Sequence, residues 1–209
     1  LEHMFVEAAP ADSVAAIIFE PIQGEGGFIP APIEWVKAVR QICDKHGILM
    51  VTDEVQTGWS RSGSLFVSDY YKEAGCAPDI MTTAKSIAGG LPLSAVVAKK
   101  EIMDAVPAGT IGGTYCGNPL ACASALKVME VMEKEDYPGK AKKIGAIAMD
   151  KFNEWKEKYE VIGDVRGIGS MIGVEFVKDK ATKEANAEIV GKIVNYAVKK
   201  GLMLEAAGT

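Results

Sequence analysis

Ile48-Leu-Met-Val-Thr-Asp-Glu-Val-Gln56 is the stretch on which the fold turns. Four apolar residues in succession, closed by a threonine and two acids, predict a strand buried on both faces with a polar carboxyl end. Upstream, Val14-Ala-Ala-Ile-Ile-Phe19 repeats the pattern and stops at Glu20-Pro21. Between the two, Gln23-Gly-Glu-Gly-Gly27 reads as a loop. Pro32 then opens a helix whose apolar face is Trp35, Val36, Val39, Ile42 and Cys43, and Gly47 closes it. Downstream, Asp79-Ile-Met-Thr-Thr83 reads as a third strand and Leu93-Ser-Ala-Val-Val-Ala98 as a fourth, with a short helix over residues 69–74. Strands alternating with helices predict an α/β fold, a mostly parallel sheet flanked by helices.

The remainder adds helices over residues 119–135 and 138–159. The rhythm then changes. Met171-Ile-Gly-Val-Glu-Phe-Val177 alternates like an antiparallel strand, a helix carries Ile189, Val190, Ile193, Val194, Ala197 and Val198 on one face, and a new strand is expected from Leu202. The predicted organisation is an expression scar at residues 1–4, part of a larger domain at 5–161, and the beginning of a smaller α+β domain at 162–209. Both ends read as cut through structure. With 209 residues, 48% of them hydrophobic and 24% charged, the chain can fill a core, which excludes a disordered or disulfide-stapled class. A net charge of −5 opposes nucleic acid and anionic membranes. No apolar run is long enough to span a bilayer, and no signal peptide is visible. Four scattered cysteines and two histidines argue against a metal site and for reduced thiols in the cytoplasm.

In an open parallel sheet, ligands sit beyond the carboxyl ends of the strands. Glu20 ends the first predicted strand, Asp53 the second, and Lys85 lies two residues past the third. A lysine there can lose its proton and attack a carbonyl, and a carboxylate can hold the positive end of a heterocycle. Pyridoxal phosphate chemistry requires that pair. It also requires a phosphate seat. Gly112-Gly-Thr-Tyr-Cys-Gly-Asn-Pro119 runs into a helix, with Asn118 as its cap, Pro119 at its first position and Thr114 offering a hydroxyl. Singly, each signal is weak: Asp53 could cap a helix or bind a metal, and a lysine after a strand is usually solvated. The conjunction points to the cofactor. Gly167-x-Gly169-x-x-x-Gly173 lacks dinucleotide spacing and reads as a flexible interdomain turn. Glu54 is expected to be structural, because it points away from Asp53. The Trp35 stripe reads as core packing.

The ordered set Glu20-Pro-Ile-Gln-Gly-Glu-Gly-Gly27, Asp53-Glu-Val-Gln-Thr-Gly58, Pro78-Asp79, Ala84-Lys85-Ser86, Gly89-Gly90-Leu-Pro92, Gly112 to Ala121 and Gly163-Asp-Val-Arg-Gly-Ile-Gly169 resembles the class III, fold-type I aminotransferases, especially bacterial 4-aminobutyrate aminotransferases. That resemblance implies pyridoxal 5'-phosphate as cofactor. It implies Lys85 as the Schiff-base lysine and proton shuttle, and Asp53 as partner of the pyridinium nitrogen. Val55 would pack on the ring, Gln56 would hydrogen-bond its phenolic oxygen, and Glu25 would be a substrate gate. Thr114 would bind phosphate on the cofactor of a partner subunit, hence a homodimer.

The same resemblance places a glycine-serine phosphate cup before residue 5 and a substrate-binding arginine after Thr209. Transamination of 4-aminobutyrate with 2-oxoglutarate is therefore expected of a parent enzyme, and little or none of the 209-residue piece. Acetylornithine or ornithine transamination is the alternative substrate reading. A folded, non-catalytic fragment without cofactor is the alternative of another class.

Overall fold

In the computed structural model, which describes residues 1–208, the apolar runs form strands and the amphipathic stretches helices. In chain order the elements are α1 (Glu2–Glu7), β1 (Ala16–Phe19), β2 (Ile22–Gln23), β3 (Ile29–Pro30), α2 (Ile33–His46), β4 (Leu49–Asp53), α3 (Ser68–Glu73), β5 (Ile80–Thr83), β6 (Ala95–Ala98), α4 (Lys100–Asp104), α5 (Pro119–Lys134), α6 (Tyr137–Lys158), β7 (Ile162–Ile168), β8 (Met171–Phe176) and α7 (Ala187–Lys199). A 3₁₀ turn, Lys85–Ala88, follows β5.

The central sheet has the order β1-β4-β5-β6. β1, β4 and β5 run parallel and β6 returns antiparallel, so the sheet is mainly parallel as expected. α2 covers one face of it. Its Val36, Val39 and Cys43 are buried against Met50 of β4 and Ile17 and Phe19 of β1. Gly47 ends the helix in the left-handed region, φ 69°, where its N–H reaches the Cys43 carbonyl. Burial pushes the Cys43 and Cys76 thiols up, so both behave as small core hydrophobes.

Three expectations need correction. β1 is not buried on both faces: it is an edge strand, and Ile18 is 63% exposed. Trp35 is only partly core, leaning edge-on against Phe19 with ring centroids 5.0 Å apart while remaining 44% exposed. Leu202 begins no strand within the described residues.

The glycines after Arg166 are also not a flexible turn. β7 and β8 form an antiparallel hairpin whose register shifts once, between Ile162 and Asp164, and its tip is wedged into the rest of the molecule. Ser170 donates through both N–H and Oγ to the Arg61 carbonyl, at 2.9 and 3.0 Å. A Cβ on Gly145 of α6 would fall 2.1 Å from the Gly169 carbonyl oxygen, so α6 packs backbone-on-backbone against the tip.

Candidate functional site

Parallel pairing aligns Asp53 at the end of β4 with Thr82 of β5, and the Glu54 N–H donates to the Thr82 carbonyl at 2.9 Å. Three residues past Thr82 the chain reaches Lys85. Asp53 and Lys85 thus leave adjacent strands at one carboxyl edge, where an open sheet gathers ligands. Asp53 is half-buried. Its Oδ1 accepts the Val55 N–H at 3.0 Å, and its Oδ2 accepts from no described residue.

The chain beyond Asp53 is fixed by its neighbour. Side chains alternate across a strand, so Glu54 turns inward, fully buried. Its carboxylate accepts from Thr57 Oγ1 at 2.6 Å, the Val67 N–H at 3.0 Å and the Ser68 N–H at 2.6 Å. Its structural role is therefore visible: it ties residues 54–57 to the start of α3, and so holds Val55 and Gln56 where they stand. Tyr71 lies buried nearby, and its hydroxyl is pushed well above the usual tyrosine range by burial and then by Glu54. Trp59 and Ser60 take left-handed backbone, φ 59° and 74°, and the Trp59 indole N–H reaches Thr83 Oγ1 at 2.7 Å.

Lys85 has φ 47°, a conformation costing a non-glycine residue about 1–2 kcal/mol. Such strain persists only where the surroundings impose it, and it clusters at functional sites. Here the Lys85–Ala88 turn packs on α5. Ser124 Oγ donates to the Ala88 carbonyl at 2.9 Å, and Ile87 and Ala88 bury against Trp59, Ala121 and Ala125. Lys85 itself is exposed and pairs with no carboxylate among the described residues. A groove of about 570 Å³ between this turn and α5 takes in Lys85, Ser86, Gly90, Ser124 and Val128. None of the other predicted site residues lines it.

Glu25 sits exposed in the β2–β3 loop. That loop touches Gln56: a Cβ on Gly24 would lie 1.5 Å from Gln56 Oε1. Glu20 Oε2 holds the Gly24 N–H at 2.9 Å. Asp53, Val55, Gln56, the Glu25 loop and Lys85 therefore gather at one edge. Every residue from 111 to 120 is exposed, and Thr114 hydrogen-bonds none of the others among the described residues. Asn118 caps α5 as expected, its Oδ1 accepting the Leu120 N–H at 2.9 Å.

Asp79 and Arg166 were not singled out from the sequence as individual residues. Asp79 accepts from Arg40 at 2.7 Å, Lys99 at 2.5 Å and the Met50 N–H at 2.8 Å. Burial alone would raise its carboxyl, but these donors outweigh it and hold the group below the usual carboxylate range. This network fixes β4 against β5 from the amino end. Its only sequence signal was an acid placed before an apolar run.

The family model described as aminotransferase class-III matches residues 1–209. The 5-aminovalerate aminotransferase DavT of Pseudomonas putida is 50% identical over 209 residues, which is 100% of this chain and 48% of that protein. The 4-aminobutyrate aminotransferase GabT of Escherichia coli is 46% identical over 202 residues, 97% of this chain and 46% of that protein. A PLP-bound amine transaminase from an uncultivated Pseudomonas species superposes with a TM-score of 0.91 at 38% identity, covering 99% of this chain and 48% of that one. The chain spans about half the length of the curated relatives it matches. With a family match over its whole length and these residues gathered at the sheet edge, the chain belongs to the class-III aminotransferases.

Proposed function

We propose that this site serves pyridoxal-phosphate-dependent transfer of an amino group from an ω-amino acid, 4-aminobutyrate or a close homologue, to 2-oxoglutarate. The observation that carries the reading is a lysine and a carboxylate oxygen, neither with a side-chain partner among the described residues, placed at and just past the ends of neighbouring strands at one sheet edge. The residues fit the group on their own chemistry. When bound, pyridoxal phosphate supplies an aldehyde that condenses with amines and a ring that accepts the electron pair left at the amine-bearing carbon. Asp53 Oδ2 would hold a proton at the ring nitrogen, while Oδ1 stays committed to the Val55 N–H. Lys85 Nζ would attach the cofactor and later move the proton at the substrate's amine-bearing carbon. Val55 would bound the ring and Gln56 Nε2 would donate to its phenolic oxygen. Glu25 would gate the substrate's carboxylate site, pairing with a substrate-binding arginine for one substrate and moving aside for the carboxylate of the next.

Thr114 would donate its hydroxyl to phosphate across a homodimer interface. The support is its exposed loop, flanked by Tyr115 at 85% and Leu120 at 76% exposure. Residues 1–209, about half the length of the relatives they match, are expected to turn over slowly or not at all by themselves. Thiols free at Cys43, Cys76, Cys116 and Cys122 suit a reducing compartment such as the cytoplasm. No helix among the described residues is long and apolar enough to cross a membrane.

The test is a chimera in which this chain replaces the matched segment of the P. putida protein. It is expected to form glutamate from 2-oxoglutarate with 4-aminobutyrate or 5-aminovalerate. Lys85→Ala should lower turnover by about 10⁴-fold or more. A folded chimera that ignores both donors, or prefers acetylornithine, contradicts the substrate assignment. One that keeps its activity as Lys85→Ala contradicts the chemistry.

A further inference from the structure

Arg166 lies on β7, yet two of its three guanidinium nitrogens leave the hairpin. Nε and Nη2 both donate to the Gly27 carbonyl, at 3.1 and 2.8 Å. Nη1 stays in the hairpin, between Asp164 at 3.2 Å and Glu175 at 2.5 Å. The two acids orient the guanidinium plane, and the side chain is 20% exposed. A cross-strand ion pair with Glu175 needs only Nη1. Hairpin pairing therefore gives no reason for two donors spent on one carbonyl lying 139 residues earlier.

That carbonyl closes the loop carrying Glu25. The Gly24 carbonyl accepts from the N–H groups of Gly27 and Phe28 at 3.0 and 3.2 Å, and the Glu25 carbonyl accepts from the Gly208 N–H at 2.6 Å. Gly27 and Phe28 have φ 113° and 54°, so this arm of the loop is held where a free chain seldom goes. Opposite it, Gly173 of β8 leaves the Gly27 carbonyl just enough room, since a Cβ there would come within 3.1 Å of that oxygen. At its other arm the loop rests on Gln56.

We propose that Arg166 is a positioning residue. By clamping the Gly27 carbonyl it fixes the loop that carries Glu25 and rests on Gln56 through Gly24, and it makes the β7–β8 hairpin part of the sheet-edge site. The value of that loop to catalysis rests on the function proposed above; the clamp does not. Charge-assisted bonds to a carbonyl in a half-buried seat are the strong kind, so their loss should be legible locally.

Hydrogen exchange of the 209-residue chain, followed by mass spectrometry, tests this without cofactor or turnover. Arg166→Met keeps the stem and removes every donor. The Gly27 and Phe28 amides are then expected to exchange about tenfold faster or more, while α2 keeps its protection. Arg166→Lys restores one donor and should bring these amides back to within about threefold of the parent chain. If residues 162–176 loosen and residues 22–30 do not, Arg166 only pairs the hairpin strands and the proposal fails.

Since Arg166→Met could weaken the whole fold, Glu175→Gln is the second arm. It removes the cross-strand ion pair and leaves the Asp164 pair, Nε and Nη2 in place, so residues 22–30 should stay protected. Opening of both segments together in that variant overturns the clamp. Failure of pyridoxal phosphate to attach to Lys85 would leave these outcomes unchanged, so the two readings fail separately.

Discussion

The family resemblance assigns residues 53–58 to the cofactor ring and Thr114, within residues 112–118, to the phosphate of the cofactor on a partner subunit. The first segment is cross-bonded into the core. Glu54 gathers three donors, Thr52 Oγ1 and Ser68 Oγ lie 3.0 Å apart, and Trp59 reaches Thr83. The second segment is exposed at every residue, its order limited to a Gly113 to Cys116 turn and the Asn118 cap. The difference separates residues that this chain's own folding positions from residues it only presents. Sheet pairing and buried acids preorganise the Asp53 edge. If the glycine-rich loop serves phosphate as proposed, its arrangement there has to come from what it meets.

Substitutions should divide along the same line. The largest effect is expected for Glu54→Ala, which strands the Val67 and Ser68 N–H groups in a buried site and should cost about 4 kcal/mol by urea denaturation. Gly145→Ala comes next. Its Cβ has no room against the Gly169 carbonyl, and moving two backbones apart should cost about 3 kcal/mol.

Asp79→Asn should cost about 2 kcal/mol at neutral pH, since it weakens three hydrogen bonds, two of them from cations. The sign of its pH dependence follows from a folded pKa below the unfolded value. Asp79 contributes stability above the unfolded carboxylate pKa of about 3.9, and that contribution fades as pH falls through the lower folded value. The gap between parent and variant in an acid titration of stability should therefore close only in strong acid. Asn118→Ala loses a cap and should cost about 1 kcal/mol. Thr114→Ala should leave stability within about 0.5 kcal/mol of the parent, because its exposed hydroxyl bonds nothing among the described residues. A Thr114 cost rivalling that of Glu54 would erase the distinction between the segments.

Much of the Asp53 edge was legible in the sequence because strand periodicity and chain order are local. An apolar run ending in Thr52-Asp53-Glu54 fixes both where the acid emerges and that its neighbour must turn inward. The cap at Asn118 and the stop at Gly47 were legible for the same reason. What could not be read depends on distant partners. Whether β1 lies at an edge is decided by which strands flank it. Whether Gly169 is loose or wedged is decided by Arg61 and Gly145, which lie far away in sequence. The clamp of Arg166 on Gly27 is of that kind too, visible only once the hairpin is folded against the loop.

The central claim is that Lys85 is the amine to which pyridoxal phosphate attaches, with Asp53 beside it. Borohydride reduction of the chain equilibrated with the cofactor, followed by peptide mapping, tests this most directly. The account predicts stoichiometric pyridoxyl label on Lys85, less of it in Asp53→Asn, and none at that peptide in Lys85→Ala. Label spread over surface lysines such as Lys100 and Lys127, with Lys85 unmodified, would contradict it.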